Sequence, residues 1–190
     1  MKVVKFGGSS VANAEQISKI INIVTADTDR RIVVVSAPGK RNKTDTKVTD
    51  LLITLANTVL AGKDFETAVM AVVNRYAEIQ RDLKLPNAVI KTIEADLRGR
   101  ITDRSANELQ FIDAMKAAGE DCSARIIAEA FTKAGFPAVY VNPGEAGMLL
   151  SDNFGNAQVL DESYPKLATL KKIKEIVIFP GFFGVTKGGD

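Results

Sequence analysis

Two spacings of hydrophobic residues alternate at the start of the chain. Residues 3–6 have the composition of a short buried strand, and the continuous apolar run within residues 31–36 is typical of a strand that is buried on both faces of a parallel sheet. Between them, apolar residues recur at the spacing of one helix face: Ile17, Ile20, Ile21 and Val24. Asn13 precedes this helix with Gln16 three residues later, which is a capping-box pattern. The order strand, helix, strand predicts a right-handed βαβ unit.

The helical spacing dominates residues 47–131 and predicts four helices. Apolar positions mark three of them: Leu51, Leu52, Leu55 and Val59; then Phe65, Val69, Val72, Val73 and Tyr76; and last Leu109, Ile112 and Met115. In the remaining helix, the third, we expect Pro86 to be the first residue and Gly99 to be the C-terminal stop. Proline suits a first helical turn, and glycine suits the position after the last one. Gly135 is expected to end the last helix.

Strand patterns return toward the C-terminus. Residues 137–141 and 175–179 have the composition of buried strands, and Val159–Leu160 has that of a short strand or hairpin arm. Strands that alternate with helices predict an α/β sandwich around a mainly parallel central sheet. In such sheets, ligands bind beyond the carboxyl ends of the strands.

Composition and charge narrow the class of protein. With 190 residues, 46% of them hydrophobic and 25% charged, the chain can bury one sizeable core. The formal net charge of +2 supplies no field that favours nucleic acid or an anionic membrane, and no apolar stretch is long enough to span a bilayer. The basic loop at residues 40–47 has no interleaved aromatic residue. We therefore expect no nucleic acid and no membrane as a partner.

Histidine is absent and cysteine occurs once. Neither a Ser-His-Asp triad nor a Cys-His pair is then available, and we predict no metal site made by the protein itself. Any chemistry must use lysine, arginine, carboxylates, hydroxyls, backbone amides and a metal ion brought by a substrate. Cys122 is expected to be a small packed residue, and a single cysteine favours the reducing cytoplasm as the location.

Glycine-bearing loops follow three of the predicted strands, at residues 5–10, 35–39 and 180–184. Glycine lets the backbone approach a ligand and lets successive N–H groups point the same way. The first loop, K-F-G-G-S-S, also leads toward a helix N-terminus, which favours an anion, and Lys5 adds a mobile positive charge. These features predict a phosphate cradle, with a plain turn as the alternative. The spacing is neither that of a Walker A loop nor G-x-G-x-x-G.

Gly119 and Glu120 break the apolar pattern of a predicted helix. Glycine in a helix interior costs about 1 kcal/mol relative to alanine, so its presence needs a reason. Close approach of a ligand or of another backbone is one, with Glu120 placed to receive an ammonium group. A helix junction with solvated charges is the alternative.

Four segments together resemble the aspartate kinases. Lys5-Phe-Gly-Gly-Ser-Ser-Val11 is similar to their K-F-G-G-T-S opening, with Ser9 in place of threonine. The other three segments, in the order of the family, are Val34-Val-Ser-Ala37, Ala118-Gly-Glu-Asp-Cys-Ser-Ala124 and Pro180-Gly-Phe-Phe-Gly-Val-Thr-Lys187. The resemblance implies the amino-acid-kinase fold, a three-layer α/β sandwich. It also implies phosphoryl transfer from MgATP to the side-chain carboxylate of L-aspartate, which gives 4-phospho-L-aspartate, the first step toward lysine, threonine and methionine.

The same resemblance assigns roles to individual residues. Lys5 would be catalytic and would hold the ATP phosphates with Phe6, Gly7, Gly8 and Ser9. The substrate-binding residues would be Ser36, Ala37, Thr49, Glu120, Phe182 and Gly184. Glu120 would take the α-ammonium group, and Mg²⁺ would bridge the nucleotide oxygens rather than bind a protein metal site.

Aspartate kinases continue beyond the position that corresponds to Asp190. Their next segment, ending in R-G-G-S-D, is followed by a nucleoside-binding half and ACT regulatory domains. The resemblance therefore implies that residues 1–190 are the N-terminal part of a catalytic domain whose sheet is incomplete at its C-terminal side. We expect Phe179, Phe182 and Phe183 to lack part of their packing and the chain by itself to be inactive. The full-length enzyme is expected to be a homo-oligomer.

Other functions compete with this assignment. Enzymes of the same fold phosphorylate glutamate, acetylglutamate, carbamate or UMP, and Glu120 favours a free amino acid over the last three. A glutamate kinase therefore stays open. A non-catalytic ligand-binding or assembly module is the alternative from a different class.

Overall fold

A computed structural model describes residues 1–189 as four strands and six α-helices. The strands are β1 (Lys2–Phe6), β2 (Arg30–Val35), β3 (Ala138–Tyr140) and β4 (Ile176–Pro180). The helices are α1 (Ala14–Thr25), α2 (Val48–Leu60), α3 (Glu66–Asp82), α4 (Ala88–Thr102), α5 (Glu108–Lys133) and α6 (Ser163–Leu167). Two 3₁₀ turns cover Gly8–Val11 and Ala168–Lys172.

The four strands form one parallel sheet in the order β1-β2-β4-β3. Phe6 is paired with Val35, and Val35 with Pro180, so β1, β2 and β4 end in line. The predicted βαβ unit, β1-α1-β2, is confirmed. Because all the strands run the same way, their carboxyl ends meet at one edge of the sheet.

Side chains of β2 alternate between two hydrophobic clusters. Val33 and Val35 pack with the helices α1 to α5 on one face of the sheet. Ile32 packs on the other face with Val177 and Leu170, near the second 3₁₀ turn. Both faces of the strand are covered, which is why its apolar run is continuous rather than alternating. Helices, sheet and the thin layer of α6 and the second 3₁₀ turn make the expected α/β sandwich of three layers.

The helical layer contains most of the core. Asn13 caps α1 as expected, since its Oδ1 accepts a hydrogen bond from Gln16 N at 3.0 Å. The helix α5 is the longest, at 26 residues, and contacts both the sheet and the other helices. Among residues 1–189, none of the helices combines the length and the apolar character that crossing a membrane requires.

Both expected ends of α4 are wrong. The helix begins at Ala88 after the cap residue Asn87, so Pro86 lies outside it, and it runs through Gly99 to Thr102. Leu97 and Ile101 are both buried on its inner face. Burial of these side chains on either side of Gly99 outweighs the weak helix propensity of one glycine, about 1 kcal/mol.

Replacing Gly99 by alanine should stabilise the protein. A β-carbon added at Gly99 meets no atom within 4 Å, so the substitution removes backbone freedom from the unfolded chain without a clash. We expect a gain of roughly 0.5–1 kcal/mol in the free energy of unfolding. Urea unfolding of the two proteins measures it, and a lower midpoint for the alanine variant would contradict the helical geometry at this position.

Other boundaries agree with the sequence patterns to within a residue or two. Gly135 follows the end of α5 with φ +90°, a left-handed conformation that glycine adopts readily. Val159 forms an antiparallel bridge with Leu150, so a hairpin arm is confirmed there. Phe179 is buried, contrary to expectation, because it lies in the second cluster with Ile32. The helix α6 was not predicted, since five residues are too few to show a helical spacing.

Candidate active site

Three loops meet beyond the ends of β1, β2 and β4. Ser36 N donates to Phe6 O at 3.1 Å, and Gly181 N donates to Val35 O at 2.9 Å. These bonds continue the sheet by one residue into each loop. The glycine-bearing segments that follow β1, β2 and β4 are therefore neighbours, at the edge where parallel sheets bind their ligands.

The loops after β1 and β2 touch through their glycines. Gly39 N donates to Gly8 O at 2.8 Å. A β-carbon on Gly8 would lie 2.9 Å from Ala37 O, and one on Gly39 would lie 2.8 Å from the carbonyl carbon of Gly8. Both contacts are with backbone, which cannot move aside as a flexible side chain would. Glycine is therefore required at 8 and 39 because two backbones approach each other. Gly7 is open, with no atom within 4 Å of an added β-carbon.

The amides available to an anion belong to a 3₁₀ turn rather than to α1. Ser10 N already donates to Gly7 O at 2.9 Å, and the first N–H groups of such a turn, those of Gly8 and Ser9, have no partner within it. The N-terminus of α1 begins only at Ala14 and is capped by Asn13. The expectation that the loop leads directly into a helix N-terminus is therefore wrong, and the free amides after β1 are those of the turn.

Lys5 supplies positive charge at this end of β1. Its neighbours Val4 and Phe6 pack against the helical cluster, so Lys5 stands on the opposite face of the sheet, since side chains alternate along a strand. Its side chain is exposed. In the part of the chain that the structure describes, no carboxylate forms an ion pair with it. The ammonium group is therefore available to an external anion.

Glu120 reaches the same loops from the helical layer. The helix α5 is continuous through Gly119 and Glu120, so the alternative of a helix junction is wrong. A β-carbon on Gly119 would lie 2.8 Å from that of Ala37, which shows that the glycine allows the loop after β2 to approach the helix. This approach lets Ala37 N donate to Glu120 Oε1 at 3.1 Å.

Glu120 is 9% exposed. Burial raises its pKa, and the hydrogen bond from Ala37 opposes that shift in part. A buried carboxylate with one oxygen already bonded offers the other oxygen, Oε2, to a positively charged ligand, which would also lower its pKa again. The geometry thus suits recognition of an ammonium group.

Ser36 and Thr49 border the loop after β2. Ser36 is half-buried directly after the strand. Thr49 is half-buried in the first turn of α2, and the preceding residue, Val48, donates its N–H to Pro38 O at 3.0 Å. The start of α2 is therefore attached to the loop that carries Ser36 and Ala37.

Phe182 and Gly184 lie in the loop that follows β4. Both line a groove of about 1090 Å³ between the first half of α5 and residues 148–159. Lys5, Gly8, Ala37 and Glu120 do not line it. Phe182 is 66% exposed with φ +80°, and Lys116 Nζ lies 5.7 Å from the centre of its ring. Phe182 and Gly184 therefore share this groove with the first half of α5, and their predicted role in walling the substrate stays a prediction.

Cys122 takes no part in the site. It is buried in the helical cluster, and burial raises the pKa of its thiol. A thiol that stays protonated is a poor nucleophile, which agrees with the interpretation as a packed residue.

Two residues of α3 that sequence analysis did not single out support the site. Tyr76 donates its hydroxyl to Gly119 O at 2.7 Å, and Arg75 Nη2 donates to Gly39 O at 2.9 Å. Tyr76 looked like an ordinary core residue. The signal for Arg75 was its position three residues after Val72 on an apolar helix face, where a charged side chain needs a buried partner.

Comparison with known proteins gives one family. A model of the amino acid kinase family matches residues 1–190. The chain is 49% identical to aspartokinase 3 of Bacillus subtilis (strain 168) over 190 residues, which is all of this chain and 42% of that relative. It is 28% identical to the lysine-sensitive aspartokinase 3 of Escherichia coli (strain K12), covering 98% of this chain and 41% of that relative. The chain thus spans about two fifths of the length of these relatives.

Solved structures show the same similarity in three dimensions. Escherichia coli aspartokinase III in complex with aspartate and ADP is similar with a TM-score of 0.82 and 27% identity over 98% of this chain and 42% of its own. The aspartate kinase of Clostridium acetobutylicum is similar with a TM-score of 0.81 and 26% identity over 99% of this chain and 40% of its own. Because the family model matches all of residues 1–190 and both solved relatives have the same fold, the chain belongs to the amino acid kinase family.

Proposed function

We propose that this chain forms the part of an aspartate kinase that holds the transferred phosphoryl group and the amino-acid acceptor. ATP would phosphorylate the side-chain carboxylate of L-aspartate and give 4-phospho-L-aspartate. The observation that carries the proposal is the hydrogen bond from Ala37 N to Glu120 Oε1, which brings an acidic side chain to the glycine loops. The similarity to an aspartokinase solved with aspartate and ADP supports it.

The loop after β1 would bind the phosphates of ATP. The N–H groups of Gly8 and Ser9 can donate to phosphate oxygens, and Lys5 can neutralise charge that builds up on the phosphoryl group during transfer. Phe6, the last residue of β1, and Gly7 lead into this turn. Mg²⁺ would arrive bound to the nucleotide as part of the substrate; residues 1–189 contain no group of three or more acidic or cysteine side chains that could hold a metal ion.

The acceptor needs no general base. A side-chain carboxylate has a reference pKa near 3.9 and is ionised at neutral pH, so it can attack phosphorus directly. This suits a chain without histidine. Catalysis then depends on aligning the two reactants and neutralising charge. Glu120 Oε2 would bind the α-ammonium group, while Ser36, Ala37 and Thr49 would border the amino acid.

Phe182 and Gly184 also enter the proposal. They follow Gly181, whose N–H bonds to Val35 O at 2.9 Å, so their segment leaves the sheet at the same edge as the other loops. From this edge they would wall the aspartate site.

We also infer that residues 1–190 do not suffice for turnover. The chain spans about two fifths of the length of its relatives. Alignment of two reactants gives effective molarities of roughly 10⁵ M or more. This advantage is lost when only one reactant is held. Residues 1–190 alone should therefore show no turnover. Homo-oligomers and a cytoplasmic location belong to the same proposal.

Substitution of Glu120 by glutamine tests the acceptor site. We expect the KM for aspartate in the full-length protein to rise by roughly tenfold or more, because the charge that meets the ammonium group is lost while the shape is kept; charged hydrogen bonds of this kind contribute about 1.5–3 kcal/mol. The KM for ATP should change little. Steady-state kinetics with each substrate varied in turn give both constants.

A matched control lies on the same helix. Glu129 is exposed on α5, and Glu129→Gln removes the same charge without touching the loops, so neither KM should change. Equal increases of both constants in Glu120→Gln would instead assign the residue a structural role. Parallel assays with glutamate as acceptor would reveal a glutamate kinase if glutamate were the better substrate.

A further inference from the structure

Arg75 is the most buried arginine of the helical layer. It lies on the inner face of α3, 4% exposed, between Val72 and Tyr76. Among residues 1–189, the one hydrogen bond of its side chain runs from Nη2 to Gly39 O at 2.9 Å. The same Gly39 donates its N–H to Gly8 O. Arg75 therefore holds the glycine that touches the phosphate-binding turn.

The loop after β2 is closed and attached to α3 by further charges. The bond from Val48 N to Pro38 O closes residues 38–48 into one unit. Within it, Asp45 accepts hydrogen bonds from Arg41 N and Nε, both at 2.8 Å. Arg75 Nη2 lies 3.5 Å from Asp45 Oδ2, and Arg41 bonds to Glu78 on the next turn of α3. The loop thus rests on α3 through two arginines.

Asp45 pairs with two arginines, the buried Arg75 and the more exposed Arg41. The hydrogen bonds from Arg41 hold the pKa of Asp45 well below its usual range, so this carboxylate stays ionised and keeps Arg41 in place without Arg75. Arg41 is about one third exposed, whereas the Arg75 side chain is buried. The pair of Arg41 and Asp45 would therefore survive loss of Arg75, whereas the hydrogen bond to Gly39 O would be lost.

Burial of Arg75 is only partly compensated. Its guanidinium forms two long ion-pair contacts, to Asp45 at 3.5 Å and to Glu78 at 3.7 Å. Among residues 1–189, its Nε and Nη1 have no hydrogen-bond partner, and burial lowers the pKa of the guanidinium. An apolar side chain of similar length would avoid the desolvation of a charge, and such replacements of buried charges are often neutral or stabilising. Stability of the fold therefore gives little reason for an arginine at this position. The position of the loop after β2 does give a reason for an arginine, because an apolar side chain cannot donate a hydrogen bond to Gly39 O.

We propose that Arg75 is a positioning residue for phosphoryl transfer, which holds Gly39 against Gly8 and so fixes the amides of the phosphate cradle. The inference rests on the proposed function for its kinetic consequence, whereas its structural part does not. The cradle amides act through their placement, and errors on the order of 1 Å at reacting groups lower rates by about 10²-fold. Arg75 works through Gly39 and contacts no reactant.

Two variants separate positioning from stability. Arg75→Met keeps length and burial but has no donor, while Arg75→Lys keeps one donor within reach of Gly39 O. In the full-length protein we expect Arg75→Met to lower kcat/KM for ATP by roughly 10–100-fold and to speed amide hydrogen exchange at Gly39 by at least about tenfold. Arg75→Lys should recover most of the lost kcat/KM and most of the protection of the Gly39 amide. The melting temperature of Arg75→Met should fall by less than about 4 °C.

Arg81→Met is the matched control. Arg81 lies on the same helix and is largely exposed, and within the described residues 1–189 its side chain pairs only with the adjacent Asp82. None of the three measurements should therefore change. Unaltered exchange at Gly39 in Arg75→Met would overturn the proposal, as would a large loss of stability with exchange raised along all of α3. If no variant, and not the parent either, uses ATP and aspartate, the proposed function fails; faster exchange confined to residues 38–47 would still establish the positioning role.

Discussion

Substitution of Lys5 by alanine should lower kcat of the full-length protein by about 10²–10³-fold, equivalent to roughly 2.7–4 kcal/mol, as loss of one preorganised charge-stabilising group does elsewhere. Lys5 lies at the end of β1, exposed and without an ion-pair partner among residues 1–189. Its charge should matter most when negative charge spreads over the transferring phosphoryl group. The KM for aspartate should therefore change far less than kcat.

Lys2 provides a control on the same strand. It lies at the opposite end of β1 and is paired with Asp27 at 2.7 Å, so Lys2→Ala should retain kcat. Thermal unfolding of both variants checks that Lys5→Ala is folded under assay conditions. A Lys5→Ala enzyme whose kcat stays within a factor of about three of the parent would show that Lys5 does not stabilise the transferred group.

The second large effect is expected from Gly8→Ala. The new β-carbon would lie 2.9 Å from Ala37 O and 3.2 Å from Gly39 N. Both are backbone atoms, so the loops after β1 and β2 must separate. That movement breaks the bond between Gly39 and Gly8, displaces the cradle amides and strains the contact of Ala37 with Glu120. We expect kcat/KM to fall by about 10²-fold and the free energy of unfolding to fall by about 1–3 kcal/mol.

Gly7→Ala is the control for Gly8→Ala. It distinguishes a clash that pushes the two loops apart from a general effect of replacing glycine. Gly7 has φ −78° and ψ 173°, which any residue adopts, and an added β-carbon meets no atom within 4 Å. Its melting temperature should match that of the parent. Activity of each folded variant is then measured below its melting temperature. A Gly8→Ala enzyme with parental stability and activity would mean that the two backbones are farther apart than the structure shows.

Local patterns predicted most of the elements and the kind of chemistry. The continuous apolar run of β2 identified a strand covered on both faces, and the spacing of apolar residues identified α1, α2, α3 and α5. The absence of histidine excluded a histidine general base and suits an acceptor that is already ionised. The glycine loops could be placed together because parallel strands end at one edge. Each of these inferences depends on neighbours along the chain or on a general rule of sheet geometry.

Tertiary contacts decided the rest, because the sequence does not state which surface covers a given face. Buried Leu97 and Ile101 carry α4 through Gly99 although local propensity predicts a stop there. Phe182 lines a groove beside the first half of α5, a placement that the motif alone did not show. The bond between Ala37 and Glu120 joins residues 83 positions apart, and Arg75 reaches Gly39 across 36. Such contacts exist only once the helices and the sheet have packed, and they determine how the predicted residues are held.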